Sequence, residues 1–432
     1  MTAAIAGFAI AFVLLFLRVP ISTGLALVGF GGLVVLNGWT PAMTTLALSA
    51  QSSTMAYTLS VLPLFVLMGN LVAGAGISGQ LFKAGQMLIG RRRGGLAMAT
   101  VLACAGFGTI CGSSVATCAT MARVAIPEMR KLGYADRLTT ATLASGATLG
   151  ILIPPSIIMV VYGINTQTHI GMLFAAGLLP GAIAILFYIA AVKWVVWRDP
   201  QAAPSPQAIA WADKLGTLKD LWPVLALFTL VMGGIYGGLF TATEAAGIGC
   251  AGAFAFALTH RSLTWRRIRA VIIDSAMVSA MMIGIVFGAA MFVEFINLTG
   301  IHKVLEALVL QSGLSPFGVI LAMIAIFFVA GALMEELSMI LILVPIFFPI
   351  VIKLGYDPVW FGIIVVVACE IGLIAPPIGM NLFVIRSVAP EVSMNTILSG
   401  MLPFITVDLM RIVLLAAFPA LTMWLPDLLF RQ

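Results

Sequence analysis

Long apolar segments with almost no charge follow one another along nearly the whole chain, and they constrain its fold more than any other feature. Apolar types make up 62% of the 432 residues and charged types only 9%, whereas an average soluble domain is about half apolar and about a quarter charged. A soluble core of this size cannot bury so much apolar surface, so lipid must surround most of the chain. This excludes a soluble enzyme, a disulfide-stapled secreted domain, a disordered tail and a nucleic-acid-binding protein.

The apolar segments predict an all-α polytopic membrane protein. A membrane-spanning helix needs about 20 apolar residues, and the segments that approach this length are 3–17, 22–36, 56–87, 139–162, 171–197, 222–239, 245–258, 272–295, 358–385 and 397–424. Two other segments, about 94–127 and about 315–349, are interrupted near the middle by small or polar residues. We expect each of these two to form a re-entrant helical hairpin.

Basic residues between the apolar segments set the predicted orientation. They cluster at 91–93, 130–137 and 261–269. If the spans alternate, these clusters share one side of the membrane, and the positive-inside rule makes that side the cytoplasm. Both termini then lie on the opposite side. The polar, proline-containing stretch 201–220 is read as a cytoplasmic linker.

This linker divides two similar halves, 1–200 and 221–432. Pro127 in the first half and Pro349 in the second each begin a segment that ends in Lys-Leu-Gly-Tyr. The topology places these two segments on opposite sides of the membrane, which predicts inverted repeats. Inverted repeats with interrupted helices in matching positions are typical of secondary transporters.

The second matching pair of segments consists of spans broken by two prolines. Pro154–Pro155 interrupts the span 139–162, and Pro376–Pro377 interrupts the span 358–385, at the same offset that separates Pro127 from Pro349. Each proline lacks a backbone donor, so upstream carbonyl groups are left free. At membrane depth such carbonyls need protein, water or a bound cation as a partner.

Converging oxygen atoms at these breaks indicate cation sites. The first hairpin tip adds the Ser113 and Ser114 hydroxyls to its exposed carbonyls, and such a set suits a desolvated Na⁺. Neighbouring helix N-termini carry positive partial charge and suit a carboxylate. The repeat then predicts one ion site per half, about two Na⁺ in all. The alternative is that these glycines, serines and prolines only kink helices or allow close packing.

Ionisable residues inside apolar segments are functional candidates. Glu335 and Glu336, at the second hairpin tip, are candidates for cation binding or proton transfer, or else carboxylates at a wet rim. Glu370 either supports the second Pro–Pro loop or takes part in ion coupling. Arg123 is a candidate partner for an anionic substrate, with a lipid-facing, snorkelling role as the alternative. Asp408 is read as an interface or helix-end group.

Enzymatic motifs are missing from the sequence. There is no GxxxxGK[ST] loop for nucleotide phosphates, and no histidine lies where it would activate a serine at membrane depth. The cysteines and histidines have no metal-ligand spacing, and we expect no organic cofactor. A transporter is therefore favoured, with an intramembrane enzyme as the alternative from another class.

Several motifs resemble those of the large membrane subunit (M subunit) of tripartite ATP-independent periplasmic (TRAP) transporters, and the likeness covers essentially the whole chain. The motifs lie at 112–117, 126–134, 148–156, 370–377 and 379–383. The resemblance implies an elevator-type member of the ion-transporter superfamily, in which a domain holding both hairpins moves against a scaffold. It implies Na⁺-driven uptake of a C4-dicarboxylate or related organic acid across a bacterial inner membrane, with both termini periplasmic.

The resemblance also implies partners and binding residues. The partners are a small (Q-type) membrane subunit, a periplasmic (P-type) substrate-binding protein, the organic anion and membrane lipid, and no nucleic acid. Matched by motif, Ser114, Thr117 and Asn381 contribute to the substrate pocket. A stand-alone Na⁺ or H⁺ symporter of the same fold is the alternative. The residues matched to the first Na⁺ site are Ser113, Ser114, Gly150, Ile153 and Pro154, and those matched to the second are Gly331, Gly372, Ala375 and Ile378.

Overall fold

The computed structural model describes residues 2–89, 92–204, 222–259, 264–311 and 313–430, and this part of the chain is helical without strands. Most of the predicted linker 201–220 lies outside the described residues. The α-helices are α1 Thr2–Phe16, α2 Ile21–Asn37, α3 Trp39–Met55, α4 Val61–Gly74, α5 Ile77–Ile89, α6 Gly95–Cys111, α7 Ser114–Lys131, α8 Asp136–Leu152, α9 Ile157–Thr166, α10 Ile170–Arg198, α11 Trp222–Tyr236, α12 Ala242–Thr259, α13 Trp265–Thr299, α14 Ile301–Gln311, α15 Pro316–Gly331, α16 Glu336–Lys353, α17 Pro358–Ile374, α18 Met380–Val388, α19 Met394–Ala417 and α20 Ala420–Phe430.

Five helices among the described residues are long and apolar enough to cross a membrane, and the bent pair α8 and α9 makes a sixth. The apolar stretches of the other apolar helices have 10–17 residues, and at 1.5 Å per residue the longest of them covers about 26 Å. The predicted segment 56–87 is not one helix. Gly76 has a φ of +80° and separates α4 from α5, because a left-handed glycine ends a helix readily.

Each predicted hairpin segment forms two helices that contact each other: α6 and α7 in the first half, α15 and α16 in the second. Both helical pairs run about four residues beyond the predicted ends, through Pro127 and Pro349. Gly133 and Gly355 follow the two pairs, each with a φ of +82°. The amide of the residue after each glycine donates to a carbonyl five residues before it: Tyr134 donates to Met129, and Tyr356 to Val351. This is the Schellman arrangement, so the glycine and not the proline ends the helix.

The two Pro–Pro pairs also interrupt helices. α9 leaves α8 at 41°, and five residues separate α17 from α18. Both Pro–Pro peptide bonds are cis. In the first break the hydroxyl of Ser156 accepts from the amide of Met159 and so caps α9.

The interrupted helices share one packed core. α6 packs on α8 and α15 packs on α17, so each hairpin lies against the helix that precedes the Pro–Pro pair of its own half. α18 packs on α7, which places the second half of the chain against the first hairpin. A second group of contacts joins α2 to α13 and α4 to α12.

Candidate functional site

The tip of the first hairpin touches the first Pro–Pro loop. α6 ends at Cys111, and Gly112 turns the chain with a φ of +64°. A Cβ atom on Gly112 would lie only 3.1 Å from the carbonyl oxygen of Pro155. The hydroxyl of Ser113 then accepts from the amide of Ala116 and caps α7. Glycine at this tip therefore allows two stretches of non-helical backbone to meet.

Close backbone contact also joins α6 to α8 within the last turn of each helix. A Cβ atom on Gly108 would lie 2.5 Å from the Cα of Gly150. On the Gly150 side, a Cβ would lie 3.2 Å from the hydroxyl oxygen of Thr117 and 3.4 Å from the carbonyl oxygen of Ser113. The structure thus brings Ser113 and Gly150 together, with Thr117 beside them. Ile153 and Pro154 follow in the buried loop.

The second half repeats this contact between glycines. A Cβ atom on Gly372 of α17 would lie 2.5 Å from the carbonyl carbon of Gly331, the last residue of α15. Ala375 is buried and begins the second break, and its amide donates to the carbonyl of Gly372. The two loops differ in exposure: Pro154 and Pro155 are buried, whereas residues 376–378 are exposed. Ile378 is therefore at the surface of the protein.

Two of the three residues matched to the substrate pocket, Ser114 and Asn381, form a direct contact between the two halves of the chain. The Asn381 side-chain nitrogen donates to the Ser114 hydroxyl at 2.8 Å and to the carbonyl of Ala144 at 3.0 Å. Asn381, Ser114 and Thr117 are fully buried. Within the described residues the Asn381 side-chain oxygen and the Thr117 hydroxyl have no hydrogen-bond partner. Buried polar atoms usually have one, so both atoms are available to a ligand.

Two helix N-termini also meet at this contact. Ser114 is the first residue of α7, and Asn381 is the second residue of α18. The first amides of each helix lack intrahelical acceptors and carry positive partial charge. The site therefore combines positive potential with hydroxyl and amide groups, while containing no basic side chain of its own.

Arg123 is not brought to this cluster. It is exposed, nine residues beyond Ser114 on α7. Nine residues correspond to about 13 Å along a helix and to its opposite face. The geometry favours the lipid-facing alternative for this side chain.

The three candidate glutamates lie in different settings. Glu335 directly precedes α16, and its carboxylate accepts from the Ser338 hydroxyl at 3.4 Å. Glu336 is 8% exposed, and one of its carboxylate oxygens has no partner in the part of the chain described. Glu370 has no exposed surface and pairs with Arg411, whose guanidinium nitrogen lies 2.6 Å from it.

Arg411 belongs to a buried polar network that the sequence interpretation missed. Its guanidinium also lies 2.9 Å from the carboxylate of Asp408, which accepts from the Tyr188 hydroxyl at 2.7 Å. Asp408 therefore lies in the middle of α19 and not at a helix end. It faces α10 and α17, as the alternative of an interface group predicted. The local signal was present: an aspartate and an arginine three residues apart in an apolar segment lie on one helical face.

The fold is shared with a solved transporter. The YdaH transporter of Alcanivorax borkumensis matches with a TM-score of 0.60 over 89% of each chain, at 18% sequence identity. At this identity the likeness concerns the fold alone. An all-helical fold with several apolar spans and interrupted helices is consistent with a polytopic membrane transporter.

The chain belongs to the DctM family: the family model described as "Tripartite ATP-independent periplasmic transporter, DctM component" matches residues 8–421. It is 35% identical to the C4-dicarboxylate TRAP transporter large permease protein DctM of Pseudomonas aeruginosa, over 92% of both chains. It is 31% identical to the ectoine TRAP transporter large permease protein TeaC of Halomonas elongata, over 97% of both. The family predicted from the sequence motifs is confirmed, and these relatives are permeases rather than enzymes.

A third relative contains a region similar to almost all of this chain, together with further sequence. The isethionate TRAP transporter permease protein DctMQ of Oleidesulfovibrio alaskensis is 32% identical over 94% of this chain, which covers 64% of that protein.

Proposed function

We propose that this chain is the large membrane subunit of a secondary transporter that takes up an organic acid together with Na⁺. The contact between Asn381 and Ser114 carries the proposal, because it joins two helix N-termini around unpartnered buried oxygens. The N-termini provide positive potential for a carboxylate, and the Thr117 hydroxyl can donate to it. The free Asn381 oxygen, an acceptor, suits a substrate hydroxyl or a cation.

The two contacts between a hairpin and a Pro–Pro loop are the proposed Na⁺ sites. Ser113, Ser114, Gly150, Ile153 and Pro154 would hold the first ion. Na⁺ prefers oxygen ligands, as hard cations do, and glycine at the contact lets backbone carbonyls approach without a side chain between them. Gly331, Gly372, Ala375 and Ile378 would hold the second ion.

The matching elements of the two halves support an inverted repeat and elevator-type transport. In this proposal the core that holds α6–α9 and α15–α18 moves against the helices around α2 and α13. The substrate arrives on a periplasmic binding protein at the inner membrane, and a small membrane subunit packs beside the scaffold. The combined DctMQ relative supports the latter partner. In the same proposal both termini lie in the periplasm, and lipid surrounds the scaffold.

Sodium should stabilise the purified protein specifically. A ligand that binds only the folded state raises its free energy of unfolding by about 2.7 kcal/mol at a hundredfold excess over Kd. We expect a higher melting temperature in Na⁺ than in K⁺ or choline at equal ionic strength. Ser114→Ala and Gly331→Val should reduce this difference, whereas Ser399→Ala, at an exposed serine of α19, should retain it.

Equal melting temperatures in all three salts would contradict Na⁺ coupling. The buried Glu336, with its unpartnered carboxylate oxygen, would then become the leading candidate for a proton carrier, as in the alternative of an H⁺ symporter. Glu336→Gln tested in a proton-gradient uptake assay would decide that case.

Asn381 should determine substrate binding. Asn381→Leu removes the donor to Ser114 and the free oxygen, so we expect the apparent Kd for the substrate to rise at least about tenfold, equivalent to 1.4 kcal/mol. The measurement is the shift in melting temperature caused by a C4-dicarboxylate, isethionate or ectoine in saturating Na⁺. The control is Asn395→Leu, at an exposed asparagine of α19. An unchanged shift in Asn381→Leu would remove this contact from the substrate site.

A further inference from the structure

Two pairs of buried residues occupy equivalent positions in the two halves. Thr148 and Glu370 are separated by the same offset as the two Pro–Pro pairs, and each precedes by two residues the glycine that meets a hairpin. Tyr188 and Arg411 are separated by the same offset as the Gly-x-Leu-Pro segments of α10 and α19. In each half, therefore, the helix before the Pro–Pro loop is linked to the long helix that follows.

The two links have different chemistry but the same location. In the first half, the Thr148 and Tyr188 hydroxyl oxygens are 3.1 Å apart, and the Thr148 proton is shared between Tyr188 and the carbonyl of Ser145, 2.7 Å away. In the second half, the Arg411 guanidinium donates to the Glu370 carboxylate at 2.6 Å.

Asp408 joins the two links into one chain that connects the two halves. It accepts from the Tyr188 hydroxyl at 2.7 Å and lies 2.9 Å from the Arg411 guanidinium. The guanidinium carbon also lies 5.8 Å from the centre of the Tyr188 ring. We call this continuous chain the bridging network, and its members are Thr148, Tyr188, Asp408, Arg411 and Glu370, all without exposed surface.

Stability alone does not account for the bridging network. Taking charges out of water is costly, and apolar residues of similar volume are often as stabilising as a buried ion pair. A fixed polar network does, however, restrict α8 and α17 to relative positions that keep its hydrogen bonds. Gly150 and Gly372 lie one half turn beyond the network on these helices.

We propose that the bridging network couples the two ion-binding loops, so that ordering of one loop favours binding at the other. The inference rests on the proposed Na⁺ sites. Tyr188 and Asp408 are positioning residues in it: they touch neither ion and act through α8 and α17. Couplings between sites commonly change affinity by about 5- to 150-fold.

Direct binding of radioactive ²²Na⁺ to the purified full-length chain tests the proposal. The main variant is Tyr188→Phe, which keeps the ring and removes the hydroxyl that joins Thr148 to Asp408. Thr148→Val breaks the same link without leaving a carboxylate unpaired, and Thr148→Ser restores a hydroxyl. The matched control is Tyr162→Phe, because the buried Tyr162 also donates a hydrogen bond, to the carbonyl of Pro358 at 2.7 Å.

The wild type and Thr148→Ser should bind two Na⁺ with a Hill coefficient clearly above 1. Tyr188→Phe and Thr148→Val should still bind two, with a Hill coefficient near 1 and at least about fivefold weaker overall binding. A merely structural role would lower the melting temperature in choline and leave the Hill coefficient unchanged, as expected for Tyr162→Phe.

Three results would overturn the inference. Two independent sites in the wild type would remove the coupling and leave the proposed function standing. An unchanged Hill coefficient in Tyr188→Phe and Thr148→Val would mean that residues outside the bridging network couple the two sites. Absence of Na⁺ binding in the folded wild type would contradict the proposed function and the inference together.

Discussion

Replacing Arg411 by methionine should lower the free energy of unfolding by about 3–5 kcal/mol, the usual cost of removing one partner of a buried ion pair. The guanidinium is the positive group that pairs with Glu370 and Asp408, and all three side chains lack exposed surface. Methionine fills most of the same volume, so the loss comes from the two carboxylates left without their partner. Thermal unfolding in detergent with Na⁺ held constant measures the effect.

Two further variants separate charge from shape. Arg123→Met makes the same chemical change at an exposed arginine, and its melting temperature should stay close to that of the wild type. Adding Glu370→Gln and Asp408→Asn to Arg411→Met removes the uncompensated charges, so part of the stability should return. If Arg411→Met melted at the temperature of the wild type, the two carboxylates would not depend on this arginine.

Gly372→Ala should remove the part of the Na⁺-dependent stabilisation that comes from the second site and reduce Na⁺-driven uptake by about a hundredfold. Its Cβ atom would lie 2.5 Å from the carbonyl carbon and 2.8 Å from the carbonyl oxygen of Gly331. Both atoms belong to the backbone, so α15 and α17 must move apart. A misplacement of about 1 Å at a positioned site can cost a hundredfold in rate. Uptake into proteoliposomes and melting in Na⁺ and choline measure the two effects.

Gly247→Ala is the matched control, because a Cβ atom there has no atom within 4 Å. Alanine favours a helix by up to about 1 kcal/mol over glycine, so this variant should be at least as stable as the wild type and respond normally to Na⁺. Gly108→Ala, whose Cβ would lie 2.5 Å from the Cα of Gly150, should damage the first site in the same way. If Na⁺ stabilised Gly372→Ala as much as the wild type, the contact between Gly372 and Gly331 would not be needed for ion binding.

Local features of the sequence were enough to predict the helical class and the family. Apolar segments, glycines and Pro–Pro pairs determine the conformation of the residues next to them. Gly112, Pro154 and Pro376 therefore lie at helix breaks both in the sequence pattern and in the structure. The ends of the hairpin helices were misjudged by a few residues. Proline weakens a helix without always ending it, whereas Gly133 and Gly355 end theirs through positive φ angles.

Long-range contacts account for what sequence reasoning missed. Asp408 was interpreted from the sequence as an interface or helix-end group, but only the packing of α10 and α17 against α19 provides Tyr188 and Glu370 as its neighbours. Arg123 illustrates the reverse. Its charge marked it as a candidate, yet helical geometry turns it to the face opposite Ser114.

The glycine contacts have a consequence for engineering the substrate range of this permease. Gly108, Gly150, Gly331 and Gly372 bring helices together through bare backbone, whereas Thr117 and Asn381 present free polar atoms. A combinatorial library that varies Thr117 and Asn381 while keeping the four glycines fixed should therefore yield more functional clones per variant screened than one that randomises the whole core. The same separation gives evolution a way to change the side chains at 117 and 381 without rebuilding the backbone contacts between the helices.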